Sequence, residues 1–253
     1  KEQQRGGKGI TGTELTSGDF VQDTFTCSTH DYLLFLTNKG RAFSLQAYQV
    51  PAAERYAKGK AIINLLNLKG ESIETTIPVR NFDGNLILIT KNGIIKKMSL
   101  KEFEKVRSSG IVAITLPEND ELVTARLTTD GDEIVIGTAK GIAIRFGSKD
   151  LRNVGRAAYG VRAIKLRKDD FVVGAEVLPA AKEELEKLAV LTITEKGFGK
   201  RSEISKYRKT ARAGKGITNI KVGEKIGNVA GLITVKKEEG VIVITAKGMV
   251  IRT

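Results

Sequence analysis

A turn of the form Thr-x-x-Gly recurs five times along the chain, as Thr37 to Gly40, Thr90 to Gly93, Thr138 to Gly141, Thr194 to Gly197 and Thr245 to Gly248. Its glycines lie 53, 48, 56 and 51 residues apart, a period in the range of blade-type repeats. A chain that copies one unit at this interval folds as a series of similar supersecondary elements, each burying its apolar face against the next. The 253 residues are therefore expected to form a single repeat body. Its units run approximately over 1–31, 32–82, 83–131, 132–185, 186–238 and 239–253, the first and last being partial.

Each turn follows a short apolar run: Leu33 to Leu36, Leu86 to Ile89, Ile134 to Ile136, Val190 to Ile193 and Val241 to Ile244. Runs this short and this branched predict strands buried on both faces. A connection of two or three residues closing on glycine suits a type I turn with the glycine in the left-handed region, the G1-bulge hairpin. Each unit thus begins with a hairpin, whose return strand starts at Arg41, Ile94, Ile142, Phe198 or Met249.

A second register of glycines, Gly9, Gly59, Gly110, Gly160 and Gly216, opens the other half of the unit. An arginine stands four residues before it in four copies (Arg5, Arg55, Arg156 and Arg212), while the third copy has Val106 there and Arg107 one place later. A strand is expected after each glycine, at Ala61 to Ile63, Ile111 to Ile114, Val161 to Ile164 and Ile217 to Ile220. Then come a turn with an acid (Glu71, Asp120, Asp170 or Glu224) and a last strand. Carboxylates favour turns because they accept from nearby backbone amides, so these acids need no further role. Four strands per unit predict an all-β, propeller-like ring of four-stranded blades, whose radial repetition protects sheet edges. About five blade repeats are present. The chain opens on a second half and closes on a hairpin, so its end pieces either join into one blade or leave the ring incomplete.

Hydrophobic residues make up 41% of the chain, aromatics 6%, and tryptophan is absent, so the core must be built from Ile, Leu and Val, which suit strands. The formal net charge is +13, from 42 Lys and Arg against 29 Asp and Glu. A field of that sign attracts polyanions. No run of about 18 apolar residues reads as a membrane span, and the opening residues do not read as a secretory signal. Cys27 is the single cysteine, which excludes an internal disulfide and leads us to expect a reducing, cytoplasmic compartment.

The sequence offers little to a catalytic centre. One histidine, His30, and one cysteine cannot build the usual zinc sites, so no metal is expected. The stretches Gly6-Gly7-Lys8-Gly9 and Gly214-Lys215-Gly216 lack the Lys-Ser/Thr ending of a P-loop, and Gly197-Phe198-Gly199-Lys200 lacks the third glycine of a dinucleotide fingerprint. Asp169 and Asp170 are adjacent in a turn and diverge, so they make no carboxylate pair for glycoside hydrolysis.

What repeats instead is positive charge. Beside the second-register glycines lie Lys8, Lys58, Lys60, Arg107, Arg162 and Lys215, together with the arginines four residues earlier. The hairpin return strands carry Lys96, Lys97, Arg145, Lys200, Arg201 and Arg252. Copies at equivalent places on successive blades form a belt. Aromatic residues are not interleaved with it, as base stacking on single strands would require. Such a belt suits the phosphates of a duplex, bound without regard to sequence, and a duplex following a curved belt must bend.

The segment Gln3-Gln4-Arg5-Gly6-Gly7-Lys8-Gly9 resembles the seven-residue box of the C-terminal domain of the bacterial DNA gyrase A subunit, usually Gln-Arg-Arg-Gly-Gly-Lys-Gly, with Gln4 in place of the first arginine. The resemblance extends along the chain, through Ala61 to Leu66, Gly197 to Arg201 and Ala213 to Ile217. It implies a β-pinwheel, a propeller-like ring usually of six blades with strands exchanged between neighbours. It further implies that duplex DNA wraps around the basic perimeter, with the box helping to close the ring, in support of negative supercoiling by a type II topoisomerase.

By the same resemblance the domain is non-catalytic and needs no cofactor of its own. The cleavage tyrosine, ATP and Mg belong elsewhere in an A2B2 holoenzyme with the B subunit, in the bacterial cytoplasm at the nucleoid, and the isolated domain is expected to be monomeric. A hairpin before Gln3 and a second half after Thr253 are expected by the family pattern. The related C-terminal domain of the topoisomerase IV A subunit, or a propeller-like protein-interaction scaffold, are the alternatives.

Overall fold

The computed structural model describes residues 10–11, 23–54, 57, 59–236, 239–244 and 249–252. After β1 (Ile10–Thr11) the first hairpin is β2 (Tyr32–Thr37) and β3 (Arg41–Gln46), followed by β4 (Ile73–Val79). The next unit supplies β5 (Asn85–Thr90), β6 (Ile94–Ser99), β7 (Ile111–Val112) and β8 (Leu122–Thr128). The third supplies β9 (Glu133–Thr138), β10 (Ile142–Gly147), β11 (Val161–Arg162) and β12 (Val172–Leu178). A single turn of helix, α1 (Lys182–Leu185), leads to β13 (Leu188–Thr194), β14 (Gly199–Glu203), β15 (Ile217–Thr218) and β16 (Val229–Lys236). The last hairpin is β17 (Ile242–Ile244) and β18 (Met249–Arg252).

The sheets do not coincide with the units. Their orders are β4-β2-β3-β7, β11-β6-β5-β8 and β12-β9-β10-β15, with three-stranded sheets β14-β13-β16 and β1-β18-β17. In each four-stranded sheet one outermost strand is a two-residue donor from a different unit: β7 pairs antiparallel with β3, β11 with β6, and β15 with β10. The end pieces join, with Ile10 opposite Val250 and Thr11 opposite Met249. Among the described residues β14 receives no donor. The donor expected at Ala61 to Ile63 is not a strand either: Ile62–Asn64 forms a 3-10 turn and Ile63 is 61% exposed. With no described acceptor edge beside it, this backbone closes on itself, Leu65 N–H donating to Ile62 O at 2.9 Å, since its polar groups require partners.

The unbroken apolar runs follow from sheets stacked face to face. Leu34 and Leu36 pack with Leu86, Leu88, Met98 and Phe103 between the first two sheets. The alternate residues Ile87 and Ile89 meet Ile134, Ile136 and Phe146 on the other side, and Val135 packs with Val190 and Tyr207 in the next layer. Successive side chains of one strand thus enter different cores, so neither face can be polar. Each such residue contributes roughly 1.5–3 kcal/mol on full burial.

The two glycine registers meet in space. Gly40 and Gly141 have φ of 74°, as the G1-bulge hairpin requires, and their carbonyls accept from Ala113 N–H at 2.9 Å and Asn219 N–H at 2.8 Å, just beyond the incoming donors. A Cβ on Gly141 would lie 2.1 Å from Ile220 O, and one on Gly216 would lie 2.6 Å from Ala143 O. A glycine in each segment lets its backbone approach a carbonyl of the other. At Gly197, in the hairpin that lacks a described donor, a Cβ would meet nothing within 4 Å.

The repeated threonine and the acid of the second half are also one device. Thr37 Oγ1 donates to Glu71 at 2.6 Å and Thr138 Oγ1 to Asp170 at 2.8 Å, while each oxygen accepts the N–H four residues on at 3.2 Å. Asp170 also accepts from Lys140 N–H, and Asp120 from Asn92 N–H, both at 2.9 Å. These acids therefore bond the hairpin of their own unit, and Asp120 and Asp170 bond local amides as well. The fourth unit departs: Thr194 Oγ1 is buried without a partner among the described residues.

Gly141→Ala is expected to destabilise far more than Gly197→Ala. Both introduce a side chain at positive φ, costing about 1–2 kcal/mol, but only the first collides with backbone. Chemical denaturation of the two variants measures the difference, and equal losses would show that donor contact adds nothing at the turn.

Candidate nucleic-acid interface

Within a sheet, β4, β8, β12 and β16 form one margin. Residues of all four, with Asp23 to Phe25, Leu191 and Ile193, line a central cavity of about 860 Å³. The donors β7, β11 and β15 lie at the opposite, outer margin. The perimeter is consequently made of the donor strands and the glycine- and cation-rich loops that lead into them, which is where the second register of the sequence falls.

Lys60, Arg107, Arg162 and Lys215 are exposed, and among the described residues their side chains have no hydrogen-bond or ion-pair partner. Arg162 belongs to β11 itself, and Lys215 immediately precedes Gly216. Arg156 is 43% exposed at its side chain and lies 3.3 Å from an equally exposed Glu102 carboxylate, a surface pair of small net strength. Lys200 Nζ donates to Asn219 O at 2.7 Å, and Arg201 lies on β14 opposite Leu191. Gln3, Gln4, Arg5, Gly6, Gly7, Lys8 and Gly9, together with Arg55 and Lys58, lie outside the described residues.

Four residues expected on the belt, Lys96 among them, are turned to the protein. Lys97 is 4% exposed and its ammonium is held by Asp130 at 2.9 Å and Ser148 O at 3.1 Å. Arg145 bonds Glu133 at 2.5 Å and the carbonyls of Ile204 and Tyr207 at 3.0 and 3.1 Å. Arg212 reaches the carbonyls of Asp150 at 3.4 Å and Arg162 at 3.3 Å. Irregular linkers leave main-chain carbonyls without a ladder partner, and long cationic side chains satisfy them. Periodicity in the sequence placed these cations near the rim but did not show which way they point.

Other residues escaped the sequence reading. Arg41 bonds both Glu71 and Ser109 O, with its guanidinium 4.8 Å over the Phe43 ring. Tyr207 O–H donates to Asn219 Oδ1 at 2.6 Å, and Asn219 donates to Thr192 at 2.7 Å, all buried. Burial pushes the Tyr207 phenol up. Unlike these, Lys96 belongs to the residues expected on the belt, but it is fully buried, and desolvation lowers its ammonium to about 8, with Glu102 acting in the opposite sense. For Glu133, burial raises the carboxyl, but bonds and charge from Lys209 and Arg145 outweigh it and the net shift is downward. His30 and Cys27 are both exposed, and neither belongs to a group of three potential metal ligands among the described residues. No described helix is long and apolar enough to cross a membrane.

A ring of antiparallel sheets that exchange outermost strands, with exposed cations on β11 and on the loops that lead into the donors, defines a strand-exchanged propeller with a basic rim. A family model described as the DNA gyrase C-terminal domain, beta-propeller, matches residues 1–28, 31–80, 84–129, 132–179, 189–236 and 241–253. The chain belongs to that family. It is 43% identical over 256 residues to the DNA gyrase A subunit of Staphylococcus epidermidis and 40% identical over 260 residues to that of Haloquadratum walsbyi; both alignments cover all of this chain. The chain spans 28% and 30% of the length of these curated relatives. Among solved structures, a DNA gyrase A C-terminal domain is similar with a TM-score of 0.84 at 28% identity, over 100% of this chain and 82% of that one. The C-terminal domain of DNA topoisomerase IV has the same fold, with a TM-score of 0.77 at 24% identity over 89% and 70%.

The lowered carboxyl of Glu133 sets a pH dependence. A group whose folded value lies below its ordinary 4.5 contributes fully above that value and is lost as pH falls through the folded one. Glu133→Gln is expected to cost roughly 3 kcal/mol at neutral pH, because it strands the Arg145 charge. That difference from the unsubstituted chain should shrink below pH 4.5 in urea titrations, and a constant difference would refute the ionic role.

Proposed function

We propose that this chain binds duplex DNA without sequence preference and bends it along the basic rim, in support of negative supercoiling by DNA gyrase. One observation carries the reading: the exchanged strands and the loops that lead into them hold Arg107, Arg162 and Lys215 on successive units, exposed and without side-chain partners among the described residues. Such cations exchange condensed counterions for direct phosphate contact. Phosphate contacts position a duplex without reading its bases. Bending 20–30 base pairs by 40–90° costs about 1–6 kcal/mol, offset by the contacts it adds.

The family and the net charge of +13 support the same reading. The box at Gln3 to Gly9, with Arg5 and Lys8, belongs to this proposal, as do Arg55 and Lys58. So do the wider assignments: a non-catalytic wrapping domain without its own cofactor, monomeric when isolated. In the assembled enzyme it would work with the B subunit, alongside the rest of its own A subunit, in an A2B2 complex in the bacterial cytoplasm at the nucleoid, where ATP and Mg serve other parts.

Replacing Arg107, Arg162 and Lys215 together with alanine is expected to lower the slope of log affinity against log salt by roughly 0.9 for each phosphate no longer bound. Lys97→Met should leave the slope unchanged, since its ammonium is already committed inside. Affinity of the unsubstituted chain for a random-sequence duplex that stays level as salt rises would sink the proposal. In a topoisomer-shift assay, Arg5→Ala with Lys8→Ala is expected to weaken handed wrapping more than simple affinity, and an unaltered shift would remove the box from the wrapping surface.

A further inference from the structure

Lys96 sits inside β6 with 1% of its surface exposed, and its Nζ donates to two main-chain carbonyls, Ala113 O at 2.7 Å and Arg156 O at 2.5 Å. One acceptor, Ala113, belongs to the unit of Lys96 itself, and the other, Arg156, to the next unit. Ala113 follows β7, which docks on the first sheet, whereas Arg156 lies in the loop entering β11, which docks on the sheet of Lys96 itself. One ammonium therefore ties the second and third units through their backbones, at the point where the second unit's donor leaves the first sheet. The loop is anchored at one end by Val154 N–H on Lys97 O at 3.0 Å and at the other by β11. Lys96 holds its middle.

Packing alone does not require this lysine. Counting from the turn glycine, the first and third hairpins carry Phe43 and Ile144 at the equivalent place, and a buried cation is costly to desolvate. The fourth hairpin repeats half of the arrangement. Lys200 donates to Asn219 O, which corresponds to Ala113 in its own unit. In the Lys96 arrangement the additional bond goes to the backbone of an arginine whose side chain emerges on the rim, where Glu102 meets it at 3.3 Å.

We propose that Lys96 is a positioning residue for duplex binding. By clamping the Arg156 carbonyl it fixes the direction from which the Arg156 guanidinium meets a phosphate, and Glu102 holds that guanidinium until a phosphate replaces the carboxylate. This rests on the duplex-binding reading above and names how one contact is set.

The test measures Kd for a random-sequence duplex of defined length over a range of salt, using the chain with Lys96→Met, Arg156→Ala, and both. Lys96→Ile, which copies the third hairpin, serves as a second replacement if the methionine variant does not fold. The expected result is that each single change lowers the salt slope by roughly 0.9 and weakens binding severalfold, with the double variant no worse than either. Lys215→Ala should add its own loss to all three. Glu102→Gln should tighten binding about threefold, an effect that disappears in the Lys96→Met variant. A folded Lys96 variant with an unchanged slope, losses that add to those of Arg156→Ala, or an Arg156→Ala variant that binds like the parent would each overturn the proposal. A parent chain with no salt-dependent binding would overturn the duplex reading as well, which separates the two failures.

Discussion

The close backbone approach between a hairpin turn and the strand arriving from another unit is the constraint on which the structure depends. A two-residue donor cannot hold its place through its own ladder, which is short. It is held because the turn glycine presents its carbonyl to the residue just beyond the donor, as Gly40 does to Ala113 and Gly141 to Asn219, and because each segment places a glycine where it meets the other's main chain. Blade is joined to blade through these crossings as well as through the apolar layers. Strand pairing also recurs between the first and last strands, Ile10 opposite Val250, so one kind of interaction both links neighbours and joins the ends.

That constraint decides where charge can stand. An exchanged strand must be reached by a long linker that crosses between sheets, and such a linker leaves carbonyls unpaired. Arg145 and Arg212 answer this need from within the chain, and Lys96 and Lys97 do so from buried positions. Cations of the same repeat that lie elsewhere on the linkers and donor strands, among them Arg162 and Lys215, face outward. The rim is thus composed of two interleaved sets, one that stabilises linkers and one that faces solvent. Arg156 stands at their junction, its carbonyl accepting from a buried lysine and its guanidinium lying at the surface.

Much of this was legible in the order of residues. The period of the Thr-x-x-Gly turns required repeated hairpins, and unbroken runs such as Leu86 to Ile89 required strands covered on both faces. Both requirements are local: turn geometry and side-chain alternation are properties of neighbouring residues. The acids have the spacing of ordinary turn formers, and Asp120 and Asp170 do bond local amides. Their additional partners in the hairpin turns, about thirty residues earlier, could not be inferred because that contact exists only once the hairpin and the second half fold together.

The sequence by itself determined the unit, its repetition, its β character and the sign of its charge, because these depend on spacing and composition. Only the tertiary structure decided which sheet each donor joins, why Ile62–Asn64 closes into a turn instead of a strand, and which cations of the belt face water. Lys97 and Arg145 have the spacing of rim residues, yet Asp130, Ser148, Glu133 and the carbonyls near Tyr207 lie within their reach. A flexible cation goes to whichever acceptors folding brings closest, and most of those acceptors come from segments tens of residues away.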